Sequence, residues 1–144
     1  MTHEDAGHYA AKHPEGSLPD PRIADRLKAK VKDGTVSCAA AHAIAEELNV
    51  PPKDVGKTMD LMELRIVKCQ MGLFGYFPEK KIVKPAESIT PELESAISEA
   101  TAGGRLACKA AWDMADRFGI PRMAVAAACE ALGIKVTPCQ IGAF

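Results

Sequence analysis

The feature that most constrains this chain is an internal repeat. When the sequence is shifted by 70 residues, residues 20–74 align with residues 90–144 without a gap, and twelve of the 55 aligned positions are identical. Proline, glycine and cysteine stay in register, as Pro51 does with Pro121 and Cys69 with Cys139. Self-similarity at a fixed period indicates a duplicated structural unit. A unit of roughly 55 residues can hold a small core of its own but is marginally stable alone.

The repeat divides the chain into four segments. Residues 1–19 form an N-terminal arm, residues 20–74 and 90–144 form the two repeat units, and residues 75–89 form a wing or linker between them. The arm carries His3, His8 and His13, whose spacing of five does not place them on one face of a helix. We therefore expect a mobile, partly ordered arm without a metal role.

Composition limits the class of protein. The chain has 144 residues, of which 47% are hydrophobic and 26% charged, and its net charge is −1. This balance is typical of a globular domain, and it excludes a globally basic nucleic-acid binder although not a local basic patch. No stretch approaches the roughly 18 apolar residues of a membrane span, and the N-terminus does not read as a secretory signal. We expect a cytoplasmic protein with reduced cysteines and no membrane partner.

Each unit is predicted to contain three helices. The first begins at Asp20-Pro21 or Thr90-Pro91, because aspartate and threonine are good N-caps and proline suits the first helical position. The second covers about residues 38–48, and the third covers about residues 52–64. Residues 65–69 are strand-like, and residues 80–84 are predicted to pair back on them as a hairpin.

The junction of the second and third helices resembles the helix-turn-helix family, and more narrowly the winged helix. The residues that carry this resemblance occur in both units: a small alanine, an apolar residue three positions later, a turn residue that tolerates positive φ, an apolar plug and an inward valine. They are Ala45, Leu48, Asn49, Val50 and Val55 in the first unit, and Ala115, Phe118, Gly119, Ile120 and Val125 in the second. The predicted fold class is mainly α, with two tandem three-helix winged-helix-like units and short β-hairpin elements.

The resemblance implies DNA binding, with the third helix in the major groove and the wing on the phosphate backbone. Phosphate contact requires lysine and arginine, and residues 51–85 carry seven of these against four acids. We therefore predict a small DNA-binding transcriptional regulator, with double-stranded DNA as its partner. Its contact residues are Lys53, Lys57, Arg65, Lys68, Lys80, Lys81 and Lys84.

The second unit lacks this chemistry. Its third helix, residues 122–132, presents alanines where the first unit has Gly56 and Lys57. Since alanine cannot read base edges, this helix is predicted to be a packing surface, either against the first unit or against a second chain in a homo-oligomer. The alternative function is a non-enzymatic protein-interaction module, because a helix-turn-helix fold does not determine function.

Four of the five cysteines repeat, as Cys38 with Cys108 and Cys69 with Cys139. Three interpretations remain open. They are buried core thiols, or they form redox-sensitive disulfides within each unit, or all four converge on zinc or an iron–sulfur cluster. No cofactor is otherwise predicted. The sequence has no catalytic constellation that we can read, so an enzyme is not expected.

Overall fold

A computed structural model describes residues 8–143 of the chain, so His3 and Phe144 lie outside the described residues. The helices are α1 (Pro21–Lys30), α2 (Cys38–Leu48), α3 (Pro52–Leu61), α4 (Pro91–Ala100), α5 (Cys108–Phe118) and α6 (Arg122–Leu132). The strands are β1 (Thr35–Ser37), β2 (Arg65–Val67), β3 (Arg105–Leu106) and β4 (Lys135–Val136), and Tyr9–Lys12 form a 3₁₀ turn. The described chain is mainly α and consists of two repeated three-helix units, which confirms the predicted fold class at this level.

The two compact units differ from the repeat boundaries at their ends. The first unit contains the described residues up to Cys69 together with the C-terminal segment from Ile141, and the second contains residues 70–140. Each unit therefore includes the end of the other repeat's Cys-Gln-x-Gly-x-Phe motif. In the first unit Ile141 is buried, and in the second unit Met71 occupies the equivalent repeat position and is also buried.

Helix starts and the inter-helix turn follow the sequence closely. The Asp20 carboxylate accepts hydrogen bonds from the Arg22 and Ile23 amides, which caps α1 as predicted. Between α2 and α3, Asn49 takes the left-handed conformation with φ 54°, and Gly119 does so between α5 and α6 with φ 63°. The inter-helix turn therefore has the predicted form in both units.

The strands pair in parallel, and this differs from the predicted hairpin. Thr35 lies opposite Arg65 and Ser37 opposite Val67, with the same arrangement of β3 and β4 in the second unit. A parallel pair cannot be joined by a tight turn, so α2 and α3 form the crossover connection. Residues 80–84 form no second strand of a hairpin. Instead, the Ile82 and Val83 amides donate to the Gly72 carbonyl at 2.9 and 3.1 Å.

The core of each unit is formed by the apolar stripes of its three helices and by the central strand residues. All the side chains concerned are nearly inaccessible to solvent. In the first unit they include Ile23, Leu27, Val36, Ile44, Val55 and Met59, and in the second Leu93, Ile97, Leu106, Met114, Val125 and Cys129.

Helix α3 and the C-terminal segment approach each other closely at Gly56. A Cβ atom built on Gly56 would lie 1.7 Å from the Ile141 carbonyl oxygen and 2.7 Å from its carbonyl carbon. Backbone cannot move aside as a flexible side chain can, so glycine is required at this position. The equivalent residue of the second unit is Ala126, which is fully buried.

We predict that Gly56→Ala lowers the free energy of unfolding by about 1–3 kcal/mol, the usual cost of an overpacked core. In a chain shortened to end at Gln140 the clash is absent, and the same substitution should raise stability by roughly 0.5–1 kcal/mol because alanine favours a helix. Urea unfolding of the four proteins measures both effects. A loss of stability of the same size in both backgrounds would contradict the contact with Ile141.

Candidate nucleic-acid interface

The solvent face of α3 is a narrow stripe. Lys53, Asp54 and Lys57 are exposed, whereas Val55 and Met59 point into the core. Lys53 and Lys57 are four residues apart and therefore lie on the same side of the helix. We call these two residues the lysine stripe. It is the part of the first unit that corresponds to the predicted DNA-reading helix face.

One edge of α3 is covered by the chain termini. The C-terminal segment lies over Gly56, and the N-terminal arm lies over Asp60, one turn further along. The Asp60 carboxylate is only 9% exposed and lies 2.8 Å from His13 Nε2 and 3.1 Å from Lys12 Nζ. The Lys12 ammonium also donates to the Gly142 carbonyl at 3.0 Å, so a single lysine holds both terminal segments against the helix.

The arm is held at a second point just after α3. The Glu63 carboxylate accepts hydrogen bonds from the Tyr9 amide at 3.0 Å and from the Ala10 amide at 2.9 Å. It thereby satisfies backbone donors at the start of the 3₁₀ turn, and the Tyr9 side chain is buried. The structure thus gives a defined place to residues 8–13 of the segment that the sequence predicts to be a mobile arm.

Sequence reasoning missed the role of the arm. The arm and the last part of the linker, residues 82–89, hold similar places in their respective units. The Lys12 ammonium donates to the Gly142 carbonyl in the first unit, and the Val83 amide donates to the Gly72 carbonyl in the second. A weak signal was present. A proline followed three residues later by serine occurs at Pro14 and Ser17, and again at Pro85 and Ser88. The offset there is 71 residues, so an ungapped shift of 70 does not reveal it.

The seven cationic residues predicted for DNA contact fall in both units. Lys53, Lys57, Arg65 and Lys68 lie in the first unit, and Lys80, Lys81 and Lys84 lie in the second. All seven are exposed. Lys81 forms an ion pair with Glu130 on α6 at 2.6 Å, so its charge is partly neutralised within its own unit.

The second unit has no counterpart of the lysine stripe. Positions 123 and 127, which align with Lys53 and Lys57, hold Met123 and Ala127. The Met123 side chain lies beside Gly72, and the Ala127 carbonyl accepts a hydrogen bond from the Ala86 amide at 2.9 Å. Part of α6 is therefore covered by its own unit's linker. Whether α6 also mediates oligomerisation, as the sequence predicts, stays a prediction.

The two glutamines of the repeated motif have different partners. The Gln70 side-chain oxygen accepts a hydrogen bond from the Arg122 guanidinium, which lies over the Trp112 ring at 3.5 Å from its centroid. The Gln140 amide donates to Cys108 Sγ at 3.5 Å. Both glutamines thus serve contacts inside the second unit.

The structure shows no disulfide bond among the five cysteines, and four of them are buried while Cys139 is partly exposed. Cys38 and Cys69 belong to the first unit, and Cys108 and Cys139 belong to the second. Burial, together with the electrostatic repulsion of Glu130, raises the pKa of the Cys129 thiol to about 11. Among residues 8–143 no three or more histidine, cysteine, aspartate or glutamate side chains are grouped so that they could hold a metal ion.

Comparison of the chain with known protein families, curated proteins and solved structures gives no match. The resemblance to the helix-turn-helix family therefore rests on the residues of the inter-helix turn, and the comparisons identify no family. In the part of the chain that the structure describes, no helix has the length and apolar character needed to cross a membrane.

We predict that Asp60→Ala releases the arm, because it removes the carboxylate that His13 and Lys12 both contact. Backbone amides of residues 9–13 should exchange with solvent at least about tenfold faster, in line with the roughly 1–3 kcal/mol of a lost buried hydrogen-bonded charge. Hydrogen exchange with mass spectrometry measures this. The control is Asp25→Ala, which removes an exposed aspartate of α1. Unchanged exchange in Asp60→Ala would contradict the role of this carboxylate.

The cysteines provide a second prediction. With a pKa of about 11, only about one thousandth of Cys129 is thiolate at pH 8, and the thiolate is the reactive form. Cys129 should therefore be the slowest of the five to react with an aromatic disulfide reagent, while the partly exposed Cys139 should react first. Peptide mass mapping after timed labelling gives the order, and labelling in urea gives the unprotected rates. Equal native rates for Cys129 and Cys139 would contradict it.

Proposed function

We propose that the protein is a DNA-binding regulator whose first unit contacts the phosphate backbone of double-stranded DNA. The observation that carries the proposal is the lysine stripe. Of the described side chains on α3, those left in solvent along the outer face are Lys53, Asp54 and Lys57. This face follows an inter-helix turn whose residues resemble those of helix-turn-helix proteins, and in that class of protein the equivalent helix enters the major groove.

The composition of the stripe favours backbone contact over base reading. Two lysines on one side of a helix can each neutralise a phosphate, and each such neutralisation contributes to a salt-dependent affinity. Base reading requires side chains such as arginine, asparagine or glutamine at several positions, and the exposed face of α3 has none of them. Binding is therefore dominated by phosphate contacts, and sequence preference depends on DNA shape.

Arg65 and Lys68 extend the same chemistry beyond α3. Both are exposed, and they flank the buried Ile66 at and just after β2. They belong to the same unit as the lysine stripe, so one compact unit carries all four charges. Lys80 and Lys84 of the second unit are further candidates for phosphate contact. Substituting them separately measures their contribution apart from that of the first unit.

The test is fluorescence anisotropy with a duplex of random sequence at two salt concentrations. Wild type should bind with a dissociation constant of roughly 10⁻⁴ to 10⁻⁶ M that weakens steeply with salt. Lys53→Glu/Lys57→Glu should weaken binding at low salt by at least about tenfold and reduce the salt dependence. A separate Lys80→Glu/Lys84→Glu variant measures the part played by the second unit.

A matched control changes the same charge elsewhere in the first unit. Lys28 and Lys30 are exposed in the last turn of α1 and are not part of the lysine stripe. Lys28→Glu/Lys30→Glu should therefore weaken binding much less than the stripe variant does. An equal loss in both variants would mean that only net charge matters, and absence of binding to wild type at low salt would contradict the proposed function.

A further inference from the structure

The two units carry clefts at equivalent places in the repeat, and their chemistry is opposite. The cleft of the first unit, of about 180 Å³, lies between α1 and α3 and is lined by Leu18, Asp20, Ile23, Asp54, Lys57 and Thr58. The cleft of the second unit is larger, at about 400 Å³, and lies between α4 and α6. Its walls include Ile89, Leu93, Phe118, Ile120, Ala124 and Ala127.

The difference comes from three aligned positions on the third helix of each unit. Asp54, Lys57 and Thr58 are replaced by Ala124, Ala127 and Ala128. These replacements remove both charged groups of the helix wall and widen the cleft, since alanine is smaller than each residue it replaces, and the remaining charged residue, Asp20, is replaced by Thr90. The polar side chains left among the lining residues are Ser88 and Thr90. The second cleft is therefore suited to an apolar group, within the roughly 300–1,000 Å³ range of ordinary ligand clefts.

The same unit also exposes a large apolar side chain to solvent, that of Phe77. Phe77 is 97% exposed, at the tip of a loop closed by two backbone hydrogen bonds between Tyr76 and Lys80, at 3.2 and 3.0 Å. Among the described residues the other large apolar side chain exposed to this degree is Leu18, at 83%, in the first unit. The structure thus presents the Phe77 ring to solvent on a loop with hydrogen-bonded ends.

Charge supports a match between the loop and the cleft. Residues 86–93, five of which line the cleft, carry two exposed glutamates, Glu87 and Glu92, and no lysine or arginine. Residues 76–84, which include the Phe77 loop, carry one glutamate and three lysines, of which Lys81 is ion-paired with Glu130. An approach of the loop to the cleft thus brings opposite charges together, which steers association and selects the orientation.

We propose that the protein associates with a second copy of itself by inserting Phe77 of one chain into the α4–α6 cleft of the other. The helix that the sequence predicts to be an oligomer interface thus supplies one wall of the receiving cleft. Aromatic side chains that fill a pocket at the centre of an interface dominate its energetics. This inference does not depend on DNA binding, since every residue it uses lies in the second unit.

The test is sedimentation velocity over a range of protein concentrations without DNA. The mass of wild type should rise with concentration, and Phe77→Ser should weaken this self-association by at least about tenfold, since each 1.4 kcal/mol of lost apolar burial is tenfold in affinity. Because Phe77 is almost fully exposed, the substitution leaves the fold intact, which circular dichroism verifies. Leu18→Ser is the matched control and should not alter the mass.

A mixing experiment identifies the occupant of the cleft. Ala127→Glu blocks the cleft but keeps Phe77, whereas Phe77→Ser keeps the cleft but lacks the aromatic ring. Each variant alone should be monomeric at concentrations where wild type associates. An equimolar mixture should regain association, because the Phe77 ring of the Ala127→Glu variant can enter the open cleft of the Phe77→Ser variant.

Three results would overturn the proposal. Wild type could remain monomeric up to about 1 mM, a range that includes even weak association. Phe77→Ser could associate as well as wild type does. Finally, Phe77→Ser could reduce DNA affinity while leaving self-association unchanged, which would assign the exposed ring to an unstacked base step of DNA instead.

Discussion

The parallel pairing of two three-residue strands is the interaction on which each unit depends. Because β1 and β2 run in the same direction, the chain between them must cross the unit, and α2 and α3 make that crossing. The short β1–β2 ladder therefore joins the chain before α2 to the chain after α3. After β2 the chain leaves from the same end at which α2 begins, and this sends the Cys-Gln-x-Gly-x-Phe segment out of its own unit.

The features of the fold that depend on neighbouring residues could be predicted from the sequence. The features that depend on pairing between distant segments could not. The Asp20 cap and the left-handed turn residues Asn49 and Gly119 depend on neighbours within a few positions, and their predictions are confirmed. Strand direction has no such local signal, since a short β-branched run reads the same in parallel and antiparallel pairs. The hairpin at residues 80–84 was predicted from a β-branched run after turn glycines, and it is wrong because Ile82 and Val83 donate to the Gly72 carbonyl instead. The contacts of Lys12 and His13 with Asp60 join residues nearly 50 positions apart, so helix and strand periodicity do not reveal them.

The candidate site shows the same division. The exposure of Lys53 and Lys57 follows from helix periodicity around Val55, and could be predicted once α3 was placed. The covering of the neighbouring helix edge by the two terminal segments could not be predicted from sequence. Gly56 alone, a glycine inside a helix, indicates that another segment packs closely there. Duplication then let the two units diverge: the first keeps charged residues around its cleft, and the second replaces them with alanines.

The exchange of terminal segments also affects the order in which the chain can fold during synthesis. Ile141, which closes the first unit over Gly56, leaves the ribosome about 70 residues after Cys69, where the earlier segment of that unit ends. The packing of the first unit is therefore complete only after most of the second unit has been synthesised, even though the helices and strands of the first unit are made much earlier. A nascent chain that stops short of Ile141 has an open first unit.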